Sequence, residues 1–292
     1  MKFGYLTINH AGGIRPDVLA TALEDRGYDS IWVPEHSHIP VDRISLYPGG
    51  GDLPDGYWNM MDPFVSLMAA AGATTNLTLA TGICLLLEHD LLDLACTTAT
   101  LDVLSEGRLL LGIGVGWNAE ELANHSDIPF RLRYQAMEER VAALKIAWTE
   151  DEPEFDGRWD RFTKSWVYPK PVQQGGPPVA LGNAGPIGIR HAAKYADHWC
   201  PIDASLHDES GRPDVAGRIA DFRRQVSEGG RNPEDVPISL FSWGRPPRRR
   251  LDEYRELGVE RVVVGPSTFD TNTPDQTLSF LDHFVDDIAD LD

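Results

Sequence analysis

The chain has 292 residues, of which 42% are hydrophobic and 24% charged, the composition of a globular protein with room for one large domain or two small ones. Its 45 Asp and Glu against 26 Lys and Arg give a net charge of −19 at pH 7, which argues against nucleic acid and anionic membranes as partners. Three widely spaced cysteines (Cys84, Cys96, Cys200) and the lack of any signal-peptide core or membrane-length apolar run predict a cytoplasmic protein with reduced thiols.

The first half of the chain alternates short apolar runs with amphipathic stretches, which is typical of alternating strands and helices. The apolar runs predict strands over residues 2–8, 30–34, 77–84 and 108–113. Helical periodicity and stop signals predict helices over residues 17–26, 63–75 and 93–104, and another that begins near Asn118. Residues 40–58 form a Gly/Pro-rich loop that is long for a compact domain, and such loops are usually lids or binding loops.

The second half continues the pattern after a long helix over 132–148. Residues 150–178 interrupt the rhythm with turns, aromatics and prolines, and we interpret them as an excursion, a hairpin, within a single domain over 1–292. Further strands are predicted over 179–182, 198–202, 238–243 and 261–265, each followed by a helix, the last over 274–291. About eight strand–helix units with buried parallel-type strands predict an α/β fold of the (β/α)8 TIM-barrel class, with insertion loops at the carboxyl face.

On such a barrel the loops after the strands build the active site, so the residues that matter directly follow each apolar run. They are Asn9, His10, Glu35, His36, His38, Gly82, Ile83, Gly116, Asn118, Asn183, Gly185, Asp203, Trp243 and Arg245.

The loop after the fourth predicted strand combines Gly114 and Gly116 with the start of a helix. Glycines let backbone N–H groups approach an anion, and a helix N-terminus adds its positive dipole end, so this loop is typical of a phosphate cradle. A plain tight turn explains the spacing equally well. Trp117 occupies the position where the dinucleotide fingerprint requires a small residue, and the chain has no P-loop motif.

His36 and His38 follow Glu35 at a strand end, and three roles suit them: metal ligands, general acid–base groups, or hydrogen-bonded structural residues. Later strand ends lack the further His and Asp ligands that a metal hydrolase needs, so we predict no metal. The basic run Arg245 and Arg248 to Arg250 indicates an anionic ligand, an acidic neighbour or a solvated surface. Because no nucleophile elbow is visible, a bound cofactor is expected to do the chemistry.

Several motifs together resemble a known family. They are GYDSIWVPEHSHIP (27–40), the YPGGGDLPDGYW loop, DPFVSLMAAAGATTNLTLATGICLL, TLDVLSEGRLLLGIGVGWNAEEL (100–122) and the segment 183–201. The chain is similar along nearly its whole length to the bacterial luciferase-like flavin monooxygenases, and more narrowly to the actinobacterial branch that uses the deazaflavin coenzyme F420. The resemblance implies a barrel with the cofactor ring across its carboxyl-terminal mouth, and a homodimer.

The resemblance also implies roles for individual residues. Glu35 and His36 match the family's acidic–histidine pair beside the ring, as catalytic residues. Thr81, Gly82 and Ile83 match a strand bulge that backs the ring, with a cis peptide between Gly82 and Ile83. The other implied cofactor contacts are Val115, Gly116 and Asn118 in the strand-four loop, and Gly182, Asn183, Ala184 and Gly185 in the strand-five loop near the cofactor's phosphate.

The implied activity is hydride transfer between F420 and a small, rather apolar organic substrate under the loop 40–58, with Trp58, Trp117 and Trp243 walling the pocket. Trp117 stands where the family's sugar-phosphate dehydrogenases carry a catalytic glutamate, which argues against a sugar phosphate. The alternatives are an FMN-dependent monooxygenase, a non-catalytic flavin-binding protein and a metal hydrolase.

Overall fold

A barrel of parallel strands organises the computed structural model, which describes residues 1–267 and 272–289. In chain order the strands are β1 (Lys2–Leu6), β2 (Ser30–Val33), β3 (Thr78–Thr81), β4 (Cys84–Leu85), β5 (Leu109–Gly114), β6 (Phe155–Asp156), β7 (Arg161–Phe162), β8 (Val179–Leu181), β9 (His198–Trp199), β10 (Ser239–Trp243) and β11 (Arg261–Gly265). Parallel pairing runs in the order β10-β11-β1-β2-β3-β5-β8-β9, and bridges from Trp199 to Ile238 and from Ile202 to Phe241 nearly close the ring. The predicted (β/α)8 barrel is confirmed.

Helices cover the outside of the barrel. They are α1 (Pro16–Asp25), α2 (Pro63–Ala73), α3 (Leu91–Leu104), α4 (Ala119–His125), α5 (Arg133–Thr149), α6 (Pro186–Tyr195), α7 (Val215–Glu228), α8 (Arg248–Glu256) and α9 (Pro274–Ile288). Side-chain caps fix several of their starts: Asp62 begins α2, Asp90 begins α3 and Asn118 begins α4. Within the described residues, none of the helices is both long and apolar enough to cross a membrane.

The barrel interior is filled by one apolar cluster, to which each of the eight barrel strands contributes a residue from the strand or directly after it. Its members are Leu6, Trp32, Ala80, Leu110, Ala180, Cys200, Phe241 and Val263, and Ile83, Ile202 and Trp243 pack against them. A second, larger core lies between the strands and the helices. Strands buried on both faces explain why the sequence shows continuous apolar runs rather than alternation.

Several predicted boundaries were wrong. The strand expected over 77–84 divides, because β3 ends at Thr81 and Cys84 pairs instead with Ile113 of β5. Helix α3 begins at Leu91, two residues earlier than predicted, since the side chain of Asp90 accepts hydrogen bonds from the first turn. The strand expected over 198–202 is only two residues long, and β1 ends at Leu6 rather than at residue 8. The last two residues of the predicted final helix, 290 and 291, lie outside the described residues.

The excursion over 150–178 contains an antiparallel pair, in which Phe155 of β6 faces Phe162 of β7. Two carboxylates tie it to α5. Arg140 of α5 forms a buried ion pair with Asp160 at 2.7 Å, and Glu139 accepts hydrogen bonds from the backbone N–H groups of 158–160. The hairpin is therefore held against the helix that precedes it.

Candidate active site at the carboxyl end of the barrel

His36, just after β2, is held by both of its ring nitrogens. Nδ1 lies 2.7 Å from Oε2 of Glu121, and the indole N–H of Trp117 donates to Nε2 at 3.3 Å. An indole nitrogen can only donate, so Nε2 accepts and the proton lies on Nδ1, where it is donated to the carboxylate. His36 is thereby assigned as a neutral imidazole whose basic nitrogen points at Trp117.

Glu121 reaches His36 because of how α4 begins. The side chain of Asn118 caps this helix by accepting from the backbone N–H of Glu121, and Glu121 is completely buried. A buried carboxylate requires a polar partner, which the imidazole supplies. The pair has the geometry of a base oriented by a third group, as in many hydrolytic and redox sites. Sequence reasoning missed Glu121, which looked like an ordinary acidic residue of a first helical turn.

Aromatic rings from the loop over residues 40–58, here called the lid loop, and the ring of Trp117 cover His36. The ring centroids of Tyr57 and Trp117 lie 5.2 and 5.8 Å from that of His36, and Tyr47 packs against both. Burial raises the pKa of Tyr57 well above its ordinary value. Trp58, which was predicted to wall the pocket, is 55% exposed, and its neighbour Tyr57 makes the contact instead.

The lid loop is fixed to the first turn of α4. Glu120 accepts a hydrogen bond from the backbone N–H of Ile44, and Ser45 Oγ accepts one from Ala119. The same short helix therefore places Glu121 beneath His36 and anchors the loop above it.

Glu35 points away from this arrangement. Its Oε2 accepts a hydrogen bond from the backbone N–H of Leu85 at 2.6 Å, and its Oε1 lies 2.8 Å from Nε2 of His89. Its ligand atoms and those of Cys84 and His89 lie within 4.8 Å of one another, close enough for a metal. Both carboxylate oxygens of Glu35 already accept hydrogen bonds, so the three residues Glu35, Cys84 and His89 are explained as support for β4. The absence of a metal, which the sequence predicts, stays a prediction.

His38 contacts Ser37 and Asn124 at the surface.

The bulge after β3 has the cis peptide between Gly82 and Ile83 that the resemblance implied. The Ile83 side chain lies between two glycines of neighbouring strands. A Cβ added at Gly114 would come within 2.4 Å of Ile83, and one added at Gly182 within 2.6 Å. Ile83 is thus seated in a cradle formed by the two glycines, and both Ile83 and Trp243 pack against the barrel cluster.

The loop after β5 is shaped by Gly116, whose φ of +68° favours glycine. A Cβ at this position would meet Leu85 and Glu88 at 3.4 and 3.7 Å. Val115 and Asn118 are buried, and the Asn118 side chain serves as the helix cap described above.

The loop 182–185 lies at the start of α6, where the helix dipole favours an anion. The indole of Trp199 donates to the Asn183 carbonyl at 2.9 Å. Arg133, which the sequence analysis missed, lies over the ring of Tyr134. Among the described residues, Arg133 Nε and Asn183 Oδ1 are buried without a hydrogen-bond partner. Ala184 packs partly buried against the core, and Gly185 is the N-cap residue of α6.

The basic run after β10 has acidic neighbours. Arg245 pairs with Asp287 at 2.8 Å, and Arg248 with Asp252 at 3.2 Å. Arg250 lies 3.7 Å from Asp203, whose carboxylate also accepts from Tyr254. Of the three explanations for this run, ion pairing with acidic residues is the one that the contacts support.

Glu88, between β4 and α3, is a buried acid that sequence reasoning also missed. Its side chain is 5% exposed; burial first, and then the charges of Glu121 and Glu35, raise its pKa from 4.5 to about 9. The folded protein therefore keeps a proton here that the unfolded chain releases. The contribution of this proton to the free energy of unfolding is complete below about pH 4.5 and is lost progressively as the pH rises to about 9.

We expect Glu88→Gln to remove this pH dependence. Between pH 5 and pH 9 the wild-type protein should lose stability relative to the variant by about 1 kcal/mol per pH unit, since one pKa unit corresponds to about 1.4 kcal/mol. Urea unfolding of both proteins across this range measures the difference, and parallel stability curves would show that Glu88 is ionised in the folded protein.

With this geometry established, comparison with known proteins identifies the family. The model of a family described as luciferase-like monooxygenase matches residues 1–244. The chain belongs to the luciferase-like monooxygenase family. Members of this family are oxidoreductases and monooxygenases.

Relatives of this family member include an uncharacterized protein of Mycobacterium tuberculosis, 36% identical over 271 residues, which are 91% of this chain and 92% of the relative. An F420-dependent glucose-6-phosphate dehydrogenase of Nocardia farcinica is 28% identical over 216 residues, 71% of this chain and 60% of that protein.

Two solved structures share the fold. A monooxygenase from Streptomyces bottropensis superposes with a TM-score of 0.77 at 18% identity, over 100% of this chain and 99% of its own. An F420-dependent secondary alcohol dehydrogenase, in complex with an F420–acetone adduct, gives a TM-score of 0.75 at 18% identity with the same coverage.

Proposed function

We propose that the protein is an F420-dependent oxidoreductase that transfers a hydride between the deazaflavin ring and a small, rather apolar alcohol or carbonyl compound. The observation that carries this proposal is His36, a neutral base held between a buried carboxylate and an indole N–H at the barrel mouth. Removal of a hydride from an alcohol carbon requires such a base for the hydroxyl proton, and hydride addition to a carbonyl carbon requires its conjugate acid. F420 supplies the hydride-accepting and hydride-donating carbon when it is bound.

The residues around the mouth fit the two ends of this cofactor. The cradle of Ile83, Gly114 and Gly182 offers an apolar support for a flat ring. Arg133, the Asn183 side chain and the start of α6 offer a cation and hydrogen-bonding groups for a phosphate. We assign the ring to the first group and the phosphate to the second.

His36 handles the proton in this proposal. Its Nε2 accepts the proton of the substrate hydroxyl, after that hydroxyl displaces the indole N–H of Trp117 from the same nitrogen. The imidazolium that forms is stabilised by the Glu121 carboxylate at 2.7 Å from Nδ1. In the reducing direction the same proton returns from Nε2 to the substrate oxygen.

The surroundings of His36 favour an apolar substrate. The side chains in contact with it are the rings of Tyr57 and Trp117 and the Glu121 carboxylate. A negative charge and aromatic rings repel a phosphorylated substrate but accommodate a small alcohol or ketone. Trp117 thus supports the interpretation that this chain does not act on sugar phosphates, unlike its Nocardia relative.

Anaerobic incubation with F420 and a panel of small secondary alcohols tests this function, followed as loss of the oxidised deazaflavin absorbance. Reduction of F420 by at least one alcohol, abolished when His36 is replaced, is the expected result. The second candidate is an FMN-dependent monooxygenase, favoured by the monooxygenase from Streptomyces bottropensis. Oxygen consumption with reduced FMN, and none of the alcohol-dependent reduction, would select that candidate. We also propose a homodimer, which light scattering tests directly.

A further inference from the structure

Three aromatic rings meet above His36 and pack against one another. Tyr47, Tyr57 and Trp117 form three mutual pairs, with ring centroids 5.1, 6.2 and 6.4 Å apart and ring planes inclined by 68, 70 and 78°. Pairs at such distances and near-perpendicular angles are edge-to-face contacts, in which the positive edge of one ring meets the negative face of the other. The three rings therefore form one aromatic cluster, here called the mouth cluster.

Trp117 joins the mouth cluster to the basic nitrogen of His36. Its indole N–H donates to Nε2 at 3.3 Å, and its ring centroid lies 5.8 Å from that of His36 at an angle of 66°. The His36 side chain is 7% exposed, so little of the imidazole is left to solvent. Trp117 thus occupies Nε2 with a hydrogen-bond donor that is carried on an aromatic ring.

A substrate hydroxyl that reaches Nε2 has to replace what the indole provides. The hydroxyl supplies a hydrogen-bond donor of its own, but the contacts of Trp117 with Tyr47 and Tyr57 are given up when the indole turns away. An alkyl group on the substrate covers the same apolar surface without a ring quadrupole, whereas an aryl group can restore edge-to-face contacts. Trp117 is half-buried, so its ring can turn toward solvent without passing through the core.

We propose that the substrate is an alcohol with an aryl group on its carbinol carbon, or the corresponding aryl ketone, and that it binds in exchange for the indole of Trp117. This inference rests on the function proposed above. The carbinol carbon loses a hydride to F420 and the hydroxyl loses its proton to Nε2 of His36, which leaves the ketone. The aryl ring packs against Tyr47 and Tyr57, so Trp117 holds the position that the substrate takes.

Two alcohols of similar size, 1-phenylethanol and 1-cyclohexylethanol, test the choice of an aryl group. Both are compared anaerobically as reductants of F420, and the ratio of their kcat/KM values is measured. The wild type should prefer 1-phenylethanol. Because the two alcohols also differ in intrinsic reactivity, the decisive quantity is the change of this ratio in a variant. Tyr57→Leu should lower the ratio about 2- to 12-fold, the range of one edge-to-face ring pair.

Trp166→Leu is the matched control, since it removes an aromatic ring that is 80% exposed in the excursion over 150–178. Its ratio should equal that of the wild type. An unchanged ratio in Tyr57→Leu, or a wild type that does not prefer 1-phenylethanol, would overturn the inference while the proposed function stands. If the wild type neither binds F420 nor reduces it with any alcohol, the proposed function fails and this inference fails with it.

Trp117→Phe provides a second test, which does not depend on whether Tyr57→Leu folds. Phenylalanine keeps a ring in the mouth cluster but has no N–H to compete with the substrate hydroxyl, so kcat/KM for 1-phenylethanol should rise about 2- to 12-fold, the range of one hydrogen bond. In ¹⁵N NMR of the cofactor-free protein, the His36 Nε2 resonance should move in Trp117→Phe and stay in Trp166→Leu. An unmoved resonance, or a fall in kcat/KM, would overturn the exchange of indole for substrate.

Discussion

Gly112→Ala is expected to be the most destabilising single substitution in the barrel wall, lowering the free energy of unfolding by about 3 kcal/mol, at the top of the usual range for overpacking. A Cβ added at Gly112 would lie 1.9 Å from the carbonyl oxygen of Thr81 and 3.1 Å from its carbon. These are backbone atoms of the adjacent strand, so no flexible side chain is there to move aside. The Thr81 hydroxyl also donates to the Gly112 carbonyl at 2.6 Å, which holds the strands at this spacing.

Gly72→Ala is the matched control. Gly72 lies exposed on α2, and a Cβ there meets nothing within 4 Å. Alanine should therefore stabilise the helix by roughly 0.5–1 kcal/mol. Urea unfolding measures both changes, and a Gly112→Ala protein within 1 kcal/mol of the wild type would contradict the strand packing described here.

His36→Asn should have the largest effect on activity, lowering kcat for F420 reduction by about 10²- to 10⁴-fold, the usual contribution of a general acid–base residue. Asparagine still offers Glu121 a hydrogen-bond donor, so the buried carboxylate keeps a partner, but it has no nitrogen that takes a proton near neutral pH. F420 binding should persist, because the cradle of Ile83, Gly114 and Gly182 and the cluster of Arg133 and Asn183 are built from other elements.

His38→Asn is the control for this substitution, since His38 follows the same strand but contacts Ser37 and Asn124 at the surface. Its kcat should stay close to that of the wild type. Equal losses in both variants, or none in His36→Asn, would remove His36 from the mechanism.

The barrel could be predicted because its strands are buried on both faces. Runs such as 109–113 and 262–264 are continuously apolar for that reason, and each precedes a helix with a recognisable start or stop signal. Since the carboxyl ends of parallel strands meet at one face, the sequence also placed His36, Ile83, Asn183 and Trp243 at the same end of the barrel.

The contacts of the site could not be predicted in the same way. Glu121 and Glu88 come from a helix and a connecting turn, where acidic residues are ordinarily solvated, and only the folded chain buries both side chains and places Glu121 against His36. Tyr57 and Trp58 are adjacent aromatic residues, and the sequence did not indicate which of them faces inward. Glu35 was expected beside the cofactor, but its carboxylate is used by Leu85 and His89.

The central claim is that this mouth holds a deazaflavin rather than a flavin. Side-by-side equilibrium titration of the cofactor-free protein with F420 and with FMN, followed by quenching of tryptophan fluorescence, tests it most directly. The account predicts tight binding of F420 and weak binding of FMN. Tight binding of FMN with little or no binding of F420 would contradict it and indicate an oxygen-using flavoprotein.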